Sequence, residues 1–128
     1  MTLTMQQILN LPQFYAEVKS AKLPLKTAFK LSNLAKEVES KTQFYQEKFQ
    51  EIVNEYGEKD ADGNFVTIEA TGNIKIAPGK EEECQTKIYE LNTLEVELPD
   101  TKFDIEDFGN IELSLEIFNI ITPFLNEQ

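Results

Sequence analysis

Between Pro24 and Gly57 the apolar positions recur in steps of three and four, with no Gly or Pro to interrupt them: Ala28, Leu31, Ala35, Val38, Thr42, Tyr45, Phe49, Ile52 and Tyr56. That spacing is a sustained heptad seam. It predicts one long helix over about 24–56, with Pro24 in its first turn and Gly57 as its C′ stop, and a length of about 48 Å at 1.5 Å per residue. Leu25, Phe29, Leu34, Phe44 and Val53 add apolar surface beyond the seam. Two coverings fit such a helix. The rest of the same chain can bury it, as in any globular protein, or another helix can, from a second copy or a different protein. In the second case Leu31, Val38, Tyr45, Phe49 and Ile52 are the partner-binding residues.

The pattern on either side is shorter in range. Thr4 and Gln7 have capping-box spacing, which predicts a short helix over Met5–Asn10, and Pro12 sits in the first turn of another that carries Phe14, Tyr15 and Val18. After the long helix, Asp62-Gly63-Asn64 is a turn signal. Phe65–Glu69 and Asn73–Ile76 read as two strands of a hairpin joined through Ala70-Thr71-Gly72. Pro78-Gly79 ends the hairpin, and Lys80–Leu91 reads as a helix with Cys84, Ile88 and Leu91 on one face. Leu94, Val96 and Leu98 alternate with Glu95 and Glu97, the signature of a third strand with one face buried. Residues 103–110 read as an acidic loop, and 111–125 as a closing amphipathic helix cut short by Pro123. The expected fold is therefore α+β: short helices, the long helix, a small antiparallel sheet of about three strands and a C-terminal helix. A chain of 128 residues has room for one core, so 1–128 is expected to be a single domain, helical over 1–57 and acidic α+β over 58–128.

Composition narrows the chemistry. All 12 basic residues are Lys, and the chain has no Arg, His or Trp. Without His there is no imidazole base near neutral pH, no Ser-His or Cys-His pair and no common nitrogen ligand for a transition metal. Without Arg there is no rigid fork for phosphate or guanine. A single cysteine, Cys84, excludes a disulfide framework or thiolate metal cluster within one chain, and no basic group other than Lys is present to lower its pKa. No catalytic residues and no cofactor are expected, and the chain reads as a non-enzyme. No stretch approaches the run of about 20 apolar residues that spans a bilayer, and residues 1–13 have neither a basic n-region nor an apolar h-region. The expectation is an intracellular protein with no membrane contact.

Net charge is −11, and its distribution matters more than its size. Residues 1–56 carry seven Lys against six Glu, whereas 57–128 carry five Lys against seventeen acids. An acidic half repels nucleic acid, so no direct nucleic-acid binding is expected. It either keeps the chain in solution or attracts a basic protein surface. Glu81, Glu82, Glu83, Glu95, Glu97, Asp100, Asp104, Glu106 and Asp107 are the candidates for such a surface.

One segment has metal-site spacing. From Glu58 to Glu69 the chain places Glu58, Asp60, Asp62, Asn64 and Glu69 near the ligand positions of an EF-hand calcium loop, with Gly63 at the sharp turn. The match is incomplete. Its first position is Glu where Asp is usual, and the exiting segment reads as a strand where an EF-hand needs a helix.

The run Leu23-Pro24-Leu25-Lys26-Thr27-Ala28-Phe29-Lys30-Leu31, the charged helix after it, and Tyr56-Gly57-Glu58-Lys59-Asp60 through Gly63-Asn64 resemble a family of small uncharacterised proteins of tailed bacteriophages and prophages. The resemblance covers mainly residues 20–70. It implies a setting, the bacterial cytoplasm during infection or the virion, and supplies no activity or catalytic residues. Three functions are then expected in order: a virion or assembly component that binds protein, including itself, through the long helix; an acidic inhibitor of a host defence protein that occupies a nucleic-acid site by charge mimicry; and a calcium-binding module resting on 58–69.

Overall fold

The computed structural model describes residues 1–126. The chain forms β1 (Thr2–Thr4), α1 (Met5–Val18), α2 (Leu25–Tyr56), α3 (Glu81–Asn92), β2 (Glu95–Glu97) and α4 (Leu115–Ile121), with 3-10 turns at Ile105–Phe108 and Thr122–Phe124. It is helix-rich with a small antiparallel sheet, as expected of the α+β class. The residues group into two compact units, Met1–Thr42 with Glu95–Gln128, and Gln43–Leu94. The division falls inside α2, between Thr42 and Gln43.

In the first unit α1 is one continuous helix, not the two short ones that Pro12 suggests. Met5, Ile8, Leu11, Phe14 and Val18 are all buried along a single stripe, while Pro12 is exposed on the other side. A proline inside a helix costs about 3 kcal/mol, whereas each buried apolar side chain contributes roughly 1.5–3 kcal/mol, so the stripe outweighs the missing hydrogen bond. The capping box that opens α1 is present: Gln7 N donates to Thr4 Oγ1 at 3.2 Å and Thr4 N to Gln7 Oε1 at 2.8 Å.

The expected three-stranded sheet is corrected to two strands. β1 pairs antiparallel with β2, Thr2 opposite Glu97, Leu3 opposite Val96 and Thr4 opposite Glu95. Leu3 and Leu98 point into the core while Glu95 and Glu97 face solvent. The core continues through Phe14, Phe103 and Phe108. The Phe108 ring stands edge-on to Phe14 at 5.6 Å and tilted against Phe103 at 5.4 Å. Residues 103–110 are therefore no mere acidic loop, because Phe103 and Phe108 anchor them. Phe103 N donates to Phe124 O at 2.7 Å, and Asn126 N to Phe103 O at 2.8 Å. The closing helix starts at Leu115, later than expected, because Ser114 caps it by accepting from Ile117 N at 3.2 Å.

In the second unit, the C-terminal part of α2 leads through Gly57 into a meander of isolated bridges, Gly57 with Ile76, Lys59 with Phe65 and Thr67 with Ile74. The hairpin expected over 65–76 survives only as these bridges, because turns at Gly63 and Gly72 leave arms too short for extended ladders. Gly57 ends the helix by close approach and not by a left-handed backbone. Its φ is not positive, while a Cβ built there would sit 2.7 Å from Val53 O and 2.8 Å from the Phe65 ring. Tyr56, Cys84 and Leu91 are the buried side chains here.

Candidate functional site

The long helix divides the seam residues. Leu31 and Val38 are buried in the core of the first unit, so these two face their own chain. The buried stripe runs Thr27, Leu31, Leu34 and Val38, with Ala28 exposed and Ala35 half-buried. Leu34 takes the inward position because its larger side chain fills space that Ala35 cannot. Beyond Val38, Tyr45 and Ile52 are half-buried and Phe49 is exposed. The Tyr45 and Phe49 rings stack at 5.9 Å. Phe44 is exposed, with the Lys48 ammonium 5.7 Å from its ring centre. Among the large apolar side chains of α2 the greatest exposures lie at its start, where Leu25 is 88% and Phe29 66% accessible.

The acidic candidates separate into engaged and free groups. Asp100 accepts from the Met1 amine at 2.6 Å, and this hydrogen bond and charge hold its carboxyl below the usual carboxylate range. Glu97 pairs with Thr2 Oγ1 across the sheet and with the same amine at 3.8 Å. Asp104 and Asp107 form a capping box around the 3-10 turn: Asp104 N donates to Asp107 Oδ2 at 2.8 Å, and Asn126 Nδ2 to Asp104 Oδ1 at 2.7 Å. These four do structural work. Glu95 and Glu106 are exposed in the same unit. Glu81, Glu82 and Glu83 are exposed on the first turn of α3, where carboxylates complement the helix dipole, and Glu83 lies 3.8 Å from Lys80.

The calcium-loop residues are likewise occupied by turn formation. Asp60 Oδ1 accepts from Asp62 N at 2.9 Å and Asn64 N at 3.0 Å, an Asx turn within the loop. Glu58 Oε2 is shielded from water, accepts no hydrogen bond and lies 3.5 Å from the Lys75 ammonium. Asp62, Asn64 and Glu69 stay exposed. Among the described residues, no three His, Cys, Asp or Glu side chains come together around a point where an ion could sit.

Neither of two clefts lined by described residues assembles a nucleophile with a base. One, of about 330 Å³, lies between α1 and α4 and is lined by amide side chains such as Gln7, Asn10 and Asn119. Another, of about 410 Å³, lies between 21–24 and 106–111, with Lys22 on one wall and Glu106 and Asp107 on the other. Cys84 is in neither, is buried, and has its thiol pKa raised by that burial, which suppresses the thiolate. No helix among the described residues is long and apolar enough to cross a membrane.

No protein-family model matches the chain, and comparison with curated proteins and with solved structures gave no match. Sequence reasoning missed one exposed apolar pair, Leu115 and Phe118 on α4. The signal was present: Ile117, Ile121 and Phe124 already make a complete buried stripe, which leaves Leu115 and Phe118 in excess.

Proposed function

We propose that this protein is a non-enzymatic accessory factor of a tailed phage or prophage, acting by protein–protein binding as a component of the virion or of its assembly. The observation that supports this reading is the exposure of Leu25 and Phe29 on a helix whose opposite face is already buried. Large apolar side chains held in water at adjacent helical turns are what a protein interface uses. The phage setting rests on the resemblance over residues 20–70. Mass spectrometry of purified particles, together with capture by the tagged protein from infected cells, tests it. Recovery in particles or with a phage assembly protein is the expected result. Absence from particles, with no partner captured, would overturn the reading.

The exposed Glu81, Glu82 and Glu83 favour a second reading, an acidic inhibitor of a host nucleic-acid-binding protein. It is narrower than the sequence suggests, because Glu97, Asp100, Asp104 and Asp107 are engaged within their own unit. Reversing the three exposed Glu to Lys is expected to abolish salt-sensitive binding to such a host protein; unchanged binding would exclude mimicry.

A further inference from the structure

The groove between α1 and α4 lies within the first unit, and its walls are made of amides. Gln7, Asn10 and Gln13 recur every third residue along one side of α1, and Glu116 and Asn119 are three apart on α4. The buried Ile8, Leu11 and Phe14 on one helix, and Ile117 and Ile121 on the other, fix both rotations. The two polar faces therefore look onto one space of about 330 Å³, and four of its seven lining residues carry primary amides.

A primary amide presents a donor and an acceptor side by side, the complement of a peptide unit. Among the described residues, the side chains of Asn10, Gln13 and Asn119 make no hydrogen bond, and Gln7 commits only its Oε1, to Thr4. The groove holds no aromatic ring and no ammonium, so a nucleobase finds nothing to stack on and a phosphate nothing to pair with. A sugar's hydroxyls suit the amides, but its ring face has no aromatic side chain to rest on. Glu116 is the one charged residue of the lining and has no ion pair among the described residues, while Ile120 and Pro123 supply the apolar part. From Gln7 to Gln13 the amides span about 9 Å at 1.5 Å per residue, the length of about three residues of extended chain.

We propose that this groove binds an extended segment of a partner protein, whose backbone N–H and C=O groups pair with the amides and which brings one Lys or Arg side chain onto Glu116. This rests on the protein-binding reading above and names the chemistry of the partner at a second surface. Main-chain hydrogen bonds carry the affinity, so the residues on either side of the basic one are free to vary. So short a contact has a Kd on the order of 1 mM, and the exposed ion pair accounts for about two- to fivefold of it.

Titration of the ¹⁵N-labelled full chain with the blocked peptide acetyl-Ala-Lys-Ala-Ala-amide, to about 10 mM, tests it by correlation spectra in which the side-chain NH₂ groups report directly. Saturable shifts of the Asn10, Gln13 and Asn119 NH₂ signals are expected. Exchanging the peptide Lys for Met, or Glu116→Gln in the protein, should each weaken binding about two- to fivefold, and the two together no further, as a direct pair requires. N10A/N119A should weaken it about tenfold or more while the spectrum away from the groove stays that of the wild type. No saturable shift, shifts that persist in N10A/N119A, or a response to maltose and not to the peptide, which would mark a saccharide site, each overturn the proposal. A groove that binds no peptide in a protein still recovered from phage particles would refute the groove alone. Absence from particles with no partner captured would refute the broader reading whatever the peptide does.

Discussion

Val38→Glu and Phe29→Glu place the same charge on the same helix nine residues apart, and the structure requires opposite outcomes. Val38 is 6% exposed within the cluster that holds Leu31 and Leu34. Removing its side chain forfeits about 1.5–3 kcal/mol of burial, and a carboxyl group left there without a partner costs about 1–3 kcal/mol more. The sum, about 3–6 kcal/mol, rivals the entire stability of an ordinary domain, about 5–15 kcal/mol. Phe29 is two-thirds exposed, so its replacement forfeits about 1 kcal/mol or less, and Glu favours the helix over Phe by a few tenths. Urea unfolding followed by far-UV circular dichroism, at a concentration too low for association, separates the two. With a slope of about 2 kcal/mol per molar, a loss of 4 kcal/mol lowers the midpoint by about 2 M, while Phe29→Glu moves it by less than about 0.5 M. A Val38→Glu protein with the wild-type midpoint would show that this face of α2 is not buried. An interface at Leu25 and Phe29 depends on the same rotation of the helix and would fall with it.

Phe103→Ala should cost about 3–5 kcal/mol, as for a core aromatic, measured by the same unfolding; a loss below about 1 kcal/mol would return residues 103–110 to the status of a surface loop. Gly57→Ala should destabilise by about 1–3 kcal/mol because its Cβ collides with Val53 O, and hydrogen exchange should show the loss concentrated at 53–76. Tyr56 has its pKa raised, by burial first and then by Glu55 and Glu83. Its phenol is thus neutral in the fold at pH values where the unfolded chain ionises. The stability it contributes is complete below the ordinary pKa of about 10 and is lost as pH rises through the higher folded value. Tyr56→Phe should flatten that alkaline decline in melting temperature, and an unchanged decline would assign it to other groups. Millimolar calcium is expected to leave the melting temperature unchanged, since Asp60 and Glu58 are committed to a turn and to Lys75. A rise abolished by Asp60→Ala would place an ion in the loop.

The sequence by itself determined the elements that local physics controls. The long helix was legible because its apolar period runs without a break and Pro24 and Gly57 punctuate it. The Thr4–Gln7 capping box was legible because both partners lie within one turn, and α3 because Pro78-Gly79 precedes a run of helix formers. Tertiary structure decided what depends on distant residues. β2 was legible from the alternation around Val96, but its partner was not: β1 lies more than 90 positions away in the chain, and Thr2–Thr4 is too short to show a period of two. The continuity of α1 through Pro12 follows from a stripe that only the assembled core rewards. The seam offered Leu31, Val38, Tyr45, Phe49 and Ile52 as one surface, because a heptad records which residues share a face and not what covers it. Packing of the first unit took Leu31 and Val38 and left Leu25 and Phe29 in water. The acidic residues divided for the same reason: charge is a property of sequence, but whether Asp100 or Asp104 meets solvent, an amine or an amide depends on what the fold brings within 3 Å.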